Sequence, residues 1–399
     1  MADIVVAHRD LTKLGGGEAV CMTTLEALQD EHNVTLLTVE EVNSFSAINE
    51  YFNTSVSEIN IEYIDPPISG LEKIERCIEK STNGKLDYLL NIVYQSVYHR
   101  YCIKSCGEAD ILISTWDEIT TQIPTIQYVH YPNRYYHLMP NDSIAVSGIS
   151  RFSLRLYKAL ARKFAGFNPS QLQEVDTVAN SEYTATQFER WYNFRPEILY
   201  PPIDTTGLSP SPDWEDRENG FIFLSRIHPC KNLHQIIDIL SKIHEEQEDI
   251  HFHIIGPRDE DAPQYYQEIL SLSNEHEFIQ FEGEMHGEEL EQMLKTHKYG
   301  ISGNPEEQFG MAIAEMVAAG MIPFVPDGGD QRNIVNNQEK VVFNSFDDAV
   351  SKILEIHLDE ELRKEVQAAF PDVSEEFGKK TFKNRICDLV ESSLQRNYC

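Results

Sequence analysis

The chain is short of basic residues, of cysteine and of long apolar runs, and each shortage excludes something. Only 33 of its 399 residues are Lys or Arg, against 65 Asp or Glu, for a net charge of −32. An acidic excess of that size repels a phosphate backbone and excludes a long nucleic-acid-binding surface. It also strains a compact chain in dilute buffer, and concentrated salt screens that self-repulsion, so the composition points to a halophilic, high-salt cytoplasm, with an ordinary acidic protein as the alternative. There are 7 cysteines, Cys21, Cys77, Cys102, Cys106, Cys230, Cys387 and Cys399. An odd, scattered set in a chain large enough for its own cores reads as reduced thiols rather than a disulfide framework. Cys102 and Cys106 share a helix face, but two thiols do not make a zinc site. No metal site is expected. No window approaches about 18 uninterrupted apolar residues, which excludes a transmembrane helix. "MADIVVAH" passes straight into a strand pattern with no leader-like segment, so a cytoplasmic protein is expected.

What is present is the composition of a folded protein, 41% hydrophobic and 25% charged, at a length that suits two domains. Short β-branched runs at 3–8, 34–39, 110–114, 125–130 and 176–180 read as buried parallel strands. Helical segments lie between them at 17–31, 85–105, 151–165 and 182–192. After "YPPID" (200–204) and the polar stretch 209–220 the alternation restarts, with strands at 221–226, 250–256, 278–284, 298–302, 321–326 and 340–344. Two successive βα series joined by a Pro-rich connector imply an α/β protein of two doubly wound, Rossmann-like domains facing a cleft, 1–200 and 201–375. Ligands of such sheets bind at the carboxyl ends of the strands, and the motifs fall just there.

In the second series, "FIFLSRIHPCKN" (221–232) places Arg226 at a strand end and Lys231 soon after it. Two cations there suit a diphosphate, although ordinary surface ion pairing would use the same residue types. In "SGNPEEQFGMAIAEMVAAGMIPFVPDGGDQ" (302–331) the run from Phe309 to Gly320 reads as a helix led in by Glu306–Gly310. Its first N–H groups, Phe309, Gly310, Met311 and Ala312, would form an anion site, with Gly310 permitting close backbone approach. Glu307 and Glu315 stand on either side of that start, on the order of 10 Å apart at about 1.5 Å per residue. That is the reach of a sugar, a diphosphate and a ribose laid end to end, and carboxylates accept hydrogen bonds from hydroxyls at both ends. The bland alternative is a helix-start acid beside a solvated one.

In the first series, "HRDLTKLGGGEAV" (8–20) sets Gly15, Gly16 and Gly17 in a loop that leads into a helix near Gly17. Glycines there allow close approach and positive φ. A dinucleotide fingerprint competes, with Glu40 as its ribose acid, but its glycines should follow the strand directly in the spacing G-x-G-x-x-G. "TIQYVHYPN" (125–133) ends a strand with His130, either a hydrogen-bonding group for a sugar hydroxyl or a satisfied core histidine.

Taken together, Glu307-x7-Glu315 with Phe309-Gly310, Ser225-Arg226…Lys231-Asn232, "VANSEYTATQFERWY" (178–192), "ILYPPID" (198–204) and "KLGGGEAV" (13–20) resemble the family 4 nucleotide-sugar glycosyltransferases of the GT-B fold. The resemblance covers nearly the whole chain. It implies a retaining, metal-independent transferase that moves a hexose from a GDP- or UDP-hexose donor to an acceptor hydroxyl, with no cofactor. Glu307 would contact donor sugar hydroxyls and Glu315 the ribose, while Arg226 and Lys231 would hold the diphosphate. His130 falls where that family places a cleft histidine, and "Y-V-H-Y-P" leans towards mannosyltransferases of lipid-linked oligosaccharide assembly. The resemblance also implies that the last segment, 376–399, packs back on the first domain, with Phe377, Phe382, Ile386 and Leu389 on one buried face. The sequence departs from the pattern at Met311-Ala312 and at Cys230, which leaves the donor's identity open. A nucleotide-sugar epimerase of the same fold and a non-catalytic sugar-nucleotide-binding protein remain the rival readings.

The charge balance reverses locally over 134–167, where Arg134, Arg151, Arg155, Lys158, Arg162 and Lys163 face one acid, Asp142. Arg151, Arg155, Lys158 and Arg162 form a helical stripe, and Phe152, Leu154, Leu156, Leu160 and Phe164 fill most of the remaining circumference. A basic, apolar helix over 151–164 suggests contact with a membrane or an anionic polyprenyl-phosphate-linked acceptor at the inner face of the cell membrane. A buried helix whose cations pair with neighbouring acids is the alternative.

Overall fold

A computed structural model of the chain describes residues 1–42, 44–57, 59–64, 87–139, 149–209 and 213–397. Cys77, Asp142, Cys399 and the start of the helix expected over 85–105 lie outside the described residues. The chain divides into two compact units, 1–201 with 382–399, and 202–381.

The first unit is built on a parallel sheet of β1 (Asp3–Ala7), β2 (Asn33–Thr38), β3 (Asn60–Tyr63), β4 (Ile111–Ser114), β5 (Thr125–Val129), β6 (Asp176–Ala179) and β7 (Glu197–Ile198). Their spatial order is 3-2-1-4-5-6-7. The chain reverses its winding between β1 and β4, and a doubly wound sheet takes its ligands at the carboxyl ends beside that reversal. The central strands are buried along nearly their whole length, which is why they read as apolar runs. β3 and β7 do not announce themselves in the sequence. Three of the four residues of β3 are exposed, and β7 is two residues long.

The second unit repeats the plan with β8 (Glu218–Leu224), β9 (His251–Ile255), β10 (Ile279–Gly283), β11 (His297–Ile301), β12 (Ile322–Pro326) and β13 (Val342–Phe343), in the order 10-9-8-11-12-13 and again parallel. Helix ends follow local chemistry. Ser181 accepts a hydrogen bond from Thr184 N–H to open the helix Glu182–Tyr192, and Asn193 closes it in the left-handed conformation.

The end of the chain, expected over 376–399 to pack as one buried face, is not a single helix. A short helix, Val373–Phe377, stops at extended Gly378, and a second helix runs from Lys379 to Asn397. Phe377 packs against Phe309 at 5.4 Å between ring centroids, in the second unit. Phe382 and Ile386 are buried with Val20, Tyr128, Val178 and Leu199, in the first. The chain changes units at Pro202 and Phe382 rather than at 201 and 376. Residues 376–381 stay with the second unit because Gly378 bridges to Ile203 and Lys379 Nζ meets Asp204 Oδ2 at 2.6 Å.

Among the described residues, no helix is long and apolar enough to cross a membrane. The helix Arg151–Ala165 presents an unusual surface instead. Phe152, Leu156, Leu160 and Phe164 are 77%, 52%, 60% and 50% exposed, flanked by exposed Arg151, Arg155 and Lys163. Two residues expected on its outer circumference turn inward. Leu154 is buried, and Lys158 is buried with its Nζ donating to Tyr136 O and Met139 O, each at 2.9 Å. Lys158 therefore leaves the basic stripe and ties down the turn after Leu138.

Candidate functional site

In the second unit Lys231 and Glu307 meet at the carboxyl ends of β8 and β11, beside the turn that follows β12. Lys231 closes a one-turn helix, Pro229–Lys231, and left-handed Asn232 then redirects the chain into the helix Leu233–His244. Asn232 Nδ2 donates to Gly303 O at 2.7 Å, pinning that turn to the segment after β11. Lys231 Nζ thereby lies 2.6 Å from Glu307 Oε2, with the two side chains only 14% and 19% exposed. Asn304 Nδ2 donates to the same carboxylate oxygen at 3.0 Å.

The Gly328-Gly329 turn after β12 fixes Glu307 from the other side. Gly329 has φ +63, and a Cβ there would sit 2.4 Å from Glu307 O. Asp330 N–H donates to that same oxygen at 2.9 Å. Gln331 Nε2 donates to Asn304 O at 2.7 Å. The glycines are thus required by the approach of one backbone segment to another.

The helix expected over 309–320 spans Met311–Ala318, with Gly310 as its N-cap at φ +106, a conformation that favours glycine. Ile313 and Ala314 N–H make its first bonds, to Gly310 O at 2.9 and 3.2 Å. Met311 and Ala312 therefore precede the bonded donors, as an anion site at a helix start needs. Phe309 lies before the Gly310 cap, so its N–H is not among the first donors of the helix, and its side chain is buried against Phe377. Glu315 sits in the helix, half-buried. Desolvation, with Asp204 nearby, pushes its carboxyl up to about 7 against the opposing pull of Lys379. Arg226, 66% exposed, is held by buried Asp259 through Nη1–Oδ2 at 2.6 Å.

In the first unit a second cluster forms at the carboxyl ends of β1, β4 and β5. The helix Gly16–Leu28 starts one residue earlier than expected, with Gly15 as N-cap. Gly15 N–H donates to Glu18 Oε2 at 2.8 Å. The positive φ expected among Gly15, Gly16 and Gly17 falls instead on Leu14, at +50. Gly17 lies where a Cβ would stand 3.5 Å from His130 Nε2, so the glycine loop and His130 do meet. His130 Nε2 lies 3.1 Å from Thr115 O, which assigns the ring proton to Nε2 and leaves Nδ1 as an acceptor. Burial, helped by His8, pushes His130 down to about 4, so the ring is neutral at pH 7. His8 is buried, with Nδ1 3.0 Å from Thr115 Oγ1 and Nε2 3.5 Å from Glu18 Oε1. Burial works to raise Glu18, and His8 with the backbone N–H groups brings its carboxyl below the usual range.

The sequence reading missed Asp259, Asn304 and Gln331 around the cations, and His8, Glu18 and Thr115 around His130. His8 follows β1 directly and Asp259 lies four residues past the end of β9, which was a usable signal. Asn304 acts on the Glu307 carboxylate and Gln331 on the Asn304 carbonyl, contacts that only the folded loops create. Free thiols are found at Cys21, Cys102, Cys106, Cys230 and Cys387 among the described residues.

Residues 205–370 match the family described as "Glycosyl transferases group 1". A relative from Dictyostelium discoideum, named GDP-Man:Man(3)GlcNAc(2)-PP-Dol alpha-1,2-mannosyltransferase, is 22% identical over 98% of this chain and 85% of its own length. The protein of the same name from Yarrowia lipolytica is 26% identical over 52% of this chain and 36% of its own. The crystal structure of Anabaena Alr3699/HepE in complex with UDP covers 98% of this chain and 100% of its own, at a TM-score of 0.66 and 15% identity. A likeness at that identity shows the fold, which is GT-B.

Proposed function

We propose that this chain, whose residues 205–370 match the family described as "Glycosyl transferases group 1", transfers a mannosyl unit from GDP-mannose to a hydroxyl of a polyprenyl-phosphate-linked glycan, with retention at the anomeric carbon. The names of the relatives support the donor and the acceptor class. The observation that carries the chemistry is the Lys231–Glu307 ion pair beside the open first turn of the helix Met311–Ala318. Arg226 and Lys231, with the Met311 and Ala312 N–H groups, neutralise the diphosphate as it departs. The C1–O bond to phosphate breaks while the acceptor oxygen bonds to C1 from the same face, and the hydroxyl proton passes to the leaving phosphate oxygen. No carboxylate pair of the glycosidase type is assigned to the reaction. In this reading the charge on the diphosphate is met by the two cations without a metal. Glu307, placed by Lys231 and Asn304, receives hydrogen bonds from donor sugar hydroxyls, and Glu315 from the ribose. In the first unit, His130 offers its Nδ1 lone pair to a sugar hydroxyl, with Gly17 leaving room beside the ring.

The exposed face of the helix Arg151–Ala165 is read as the part that meets the lipid. Four large apolar side chains between three cations suit the boundary between acyl chains and anionic headgroups. The protein is accordingly peripheral to the cytoplasmic leaflet, in a cell whose salt screens a net charge of −32.

The test is incubation in high salt with GDP-mannose or a UDP-hexose, with and without a polyprenyl-diphosphate-linked oligomannose acceptor. Acceptor-dependent mannose transfer from the GDP donor, with an α-linkage by NMR, is expected. Conversion of the donor without acceptor would make the chain an epimerase. Tight nucleotide binding with no turnover on any acceptor would make it a sensor.

A further inference from the structure

The opposite, amino-terminal ends of the second unit's strands carry three histidines that this chemistry does not use. His251 and His253 are two apart on β9 and stand on one face of the sheet, and His297 opens β11. β8 runs between those two strands, with its Gly220 paired to His251. A Cβ at Gly220 would lie 2.3 Å from His297 Cδ2 and 2.5 Å from His251 Nε2. Only a residue without a side chain lets the two rings meet across the middle strand. Ring centroids lie 5.0 Å apart for His251–His253, 5.4 Å for His251–His297 and 4.6 Å for His253–His297. One ligating nitrogen from each lies within 4.8 Å of the other two.

Which nitrogens face one another follows from the remaining contacts. His253 Nδ1 is 2.7 Å from Glu282 Oε1, and His297 Nδ1 is 2.8 Å from Met293 O. Both partners accept, so the ring protons sit on Nδ1 and the Nε2 lone pairs are left over. The Nε2 atoms of all three histidines are buried without a hydrogen-bond partner, and His253 and His297 are 6% and 2% exposed. Glu218, opposite His297 in the β8–β11 register, brings Oε2 to 3.5 Å from His251 Nε2.

We propose that His251, His253 and His297, completed by Glu218, bind a divalent transition metal of the zinc type at the amino-terminal edge of the second sheet. Three imidazoles and a carboxylate form a tetrahedral N/O set that suits Zn²⁺. The Nδ1–H contacts to Glu282 and Met293 O are the outer partners that fix and strengthen such ligands. Zn–N bonds of about 2.0–2.1 Å put tetrahedral ligand nitrogens about 3.4 Å apart, so binding draws the rings together by roughly an ångström. The ligands come from β8, β9 and β11, and substrates of doubly wound sheets bind at the other end of the strands. The metal's role is to clamp the sheet. No metal site was expected from the sequence. The H-x-H of 251–253 was a signal, but sheet order alone supplies the third histidine and the glycine gap.

The full-length chain, stripped with a chelator and dialysed, is titrated with Zn²⁺ and separately with Co²⁺. One Zn²⁺ per chain by elemental analysis, a higher thermal midpoint and the intense visible bands of tetrahedral Co²⁺ are expected. His251→Gln removes a half-buried ligand, and Gly220→Ala keeps every ligand but closes the gap. Each should weaken Zn²⁺ binding at least tenfold. If either variant fails to fold, Glu218→Gln is the replacement, with the same expected loss. Sub-stoichiometric zinc in the wild type, or unchanged affinity in the folded variants, overturns the proposal.

Discussion

Lys231 Nζ and Glu307 Oε2 lie 2.6 Å apart, so a residue read as holding phosphate and one read as holding sugar are a single ion pair. Neither side chain is more than one-fifth exposed, and removing one partner leaves the other charge shielded and unpaired. Lys231→Ala should lower kcat on the order of 100-fold, as loss of one transition-state donor does elsewhere. Glu307→Ala should lose activity as well, and the double variant should fall well short of the combined loss. A coupling energy of about 0.5–3 kcal/mol from kcat/KM in the four proteins is the expected result. Additive losses would show two independent roles.

Arg226 is held from one side by Asp259 at 2.6 Å. Asp259→Asn keeps the shape and removes the tether. It should reduce kcat in the same direction as Arg226→Ala but by less, with wild-type thermal stability, since Arg226 is mostly solvent-exposed. Steady-state kinetics beside a melting curve checks both halves.

Glu315 gives a pH prediction. Its folded-state value, raised to about 7 from 4.5 by desolvation, means that the folded chain binds more protons than the unfolded one between those limits. The stability tied to this group is therefore full below pH 4.5 and is lost as pH rises through 7. Glu315→Gln mimics the protonated form. Its stability relative to wild type should rise from pH 4.5 to 7.5 and then level off, read as the difference in denaturant midpoint. A constant difference would place Glu315 in ordinary solvent. In either case the variant should weaken nucleoside diphosphate binding more than kcat, because a ribose contact is alike in ground and transition states.

Gly329 supports Glu307 through the backbone. Gly329→Ala meets both a positive φ and a Cβ 2.4 Å from Glu307 O. A loss of about 1–3 kcal/mol in unfolding free energy is expected, with weaker donor binding although no ligand-contacting side chain has changed. Urea titration and calorimetry check it.

The outer face of the helix Arg151–Ala165 yields a binding prediction. Phe152→Asp/Leu156→Asp replaces two side chains that are 77% and 52% exposed, so the fold should be indifferent while the apolar area available to lipid falls. Wild type should float with anionic vesicles in high salt and the double variant should not. Concentrated salt shortens screening to a few ångströms, so replacing only exposed Lys163 should matter much less.

The two βα series, the parallel strands and the segments that carry the site are legible in the order of residues alone. Apolar runs such as those of β1, β4 and β5 have one stable use, burial between helices. Serines and asparagines at helix ends, and glycines after strands, fix local geometry through local sterics and hydrogen bonds. What those residues do to one another emerges only on folding. Edge strands β3 and β7 bury little, so no pattern marked them. Phe377 and Phe382 look like one helical face, but Gly378 breaks the helix and gives one ring to each unit. Lys158 joins a basic stripe by spacing, yet two carbonyls draw it inward. Lys231 meets Glu307, Gly329 meets Glu307 O, and His297 meets His251 over Gly220 because sheet order brings together strands far apart in the chain. Periodicity reports what a residue's immediate neighbours allow. Pairing across a sheet depends on strand order and register, and neither is written in any one segment.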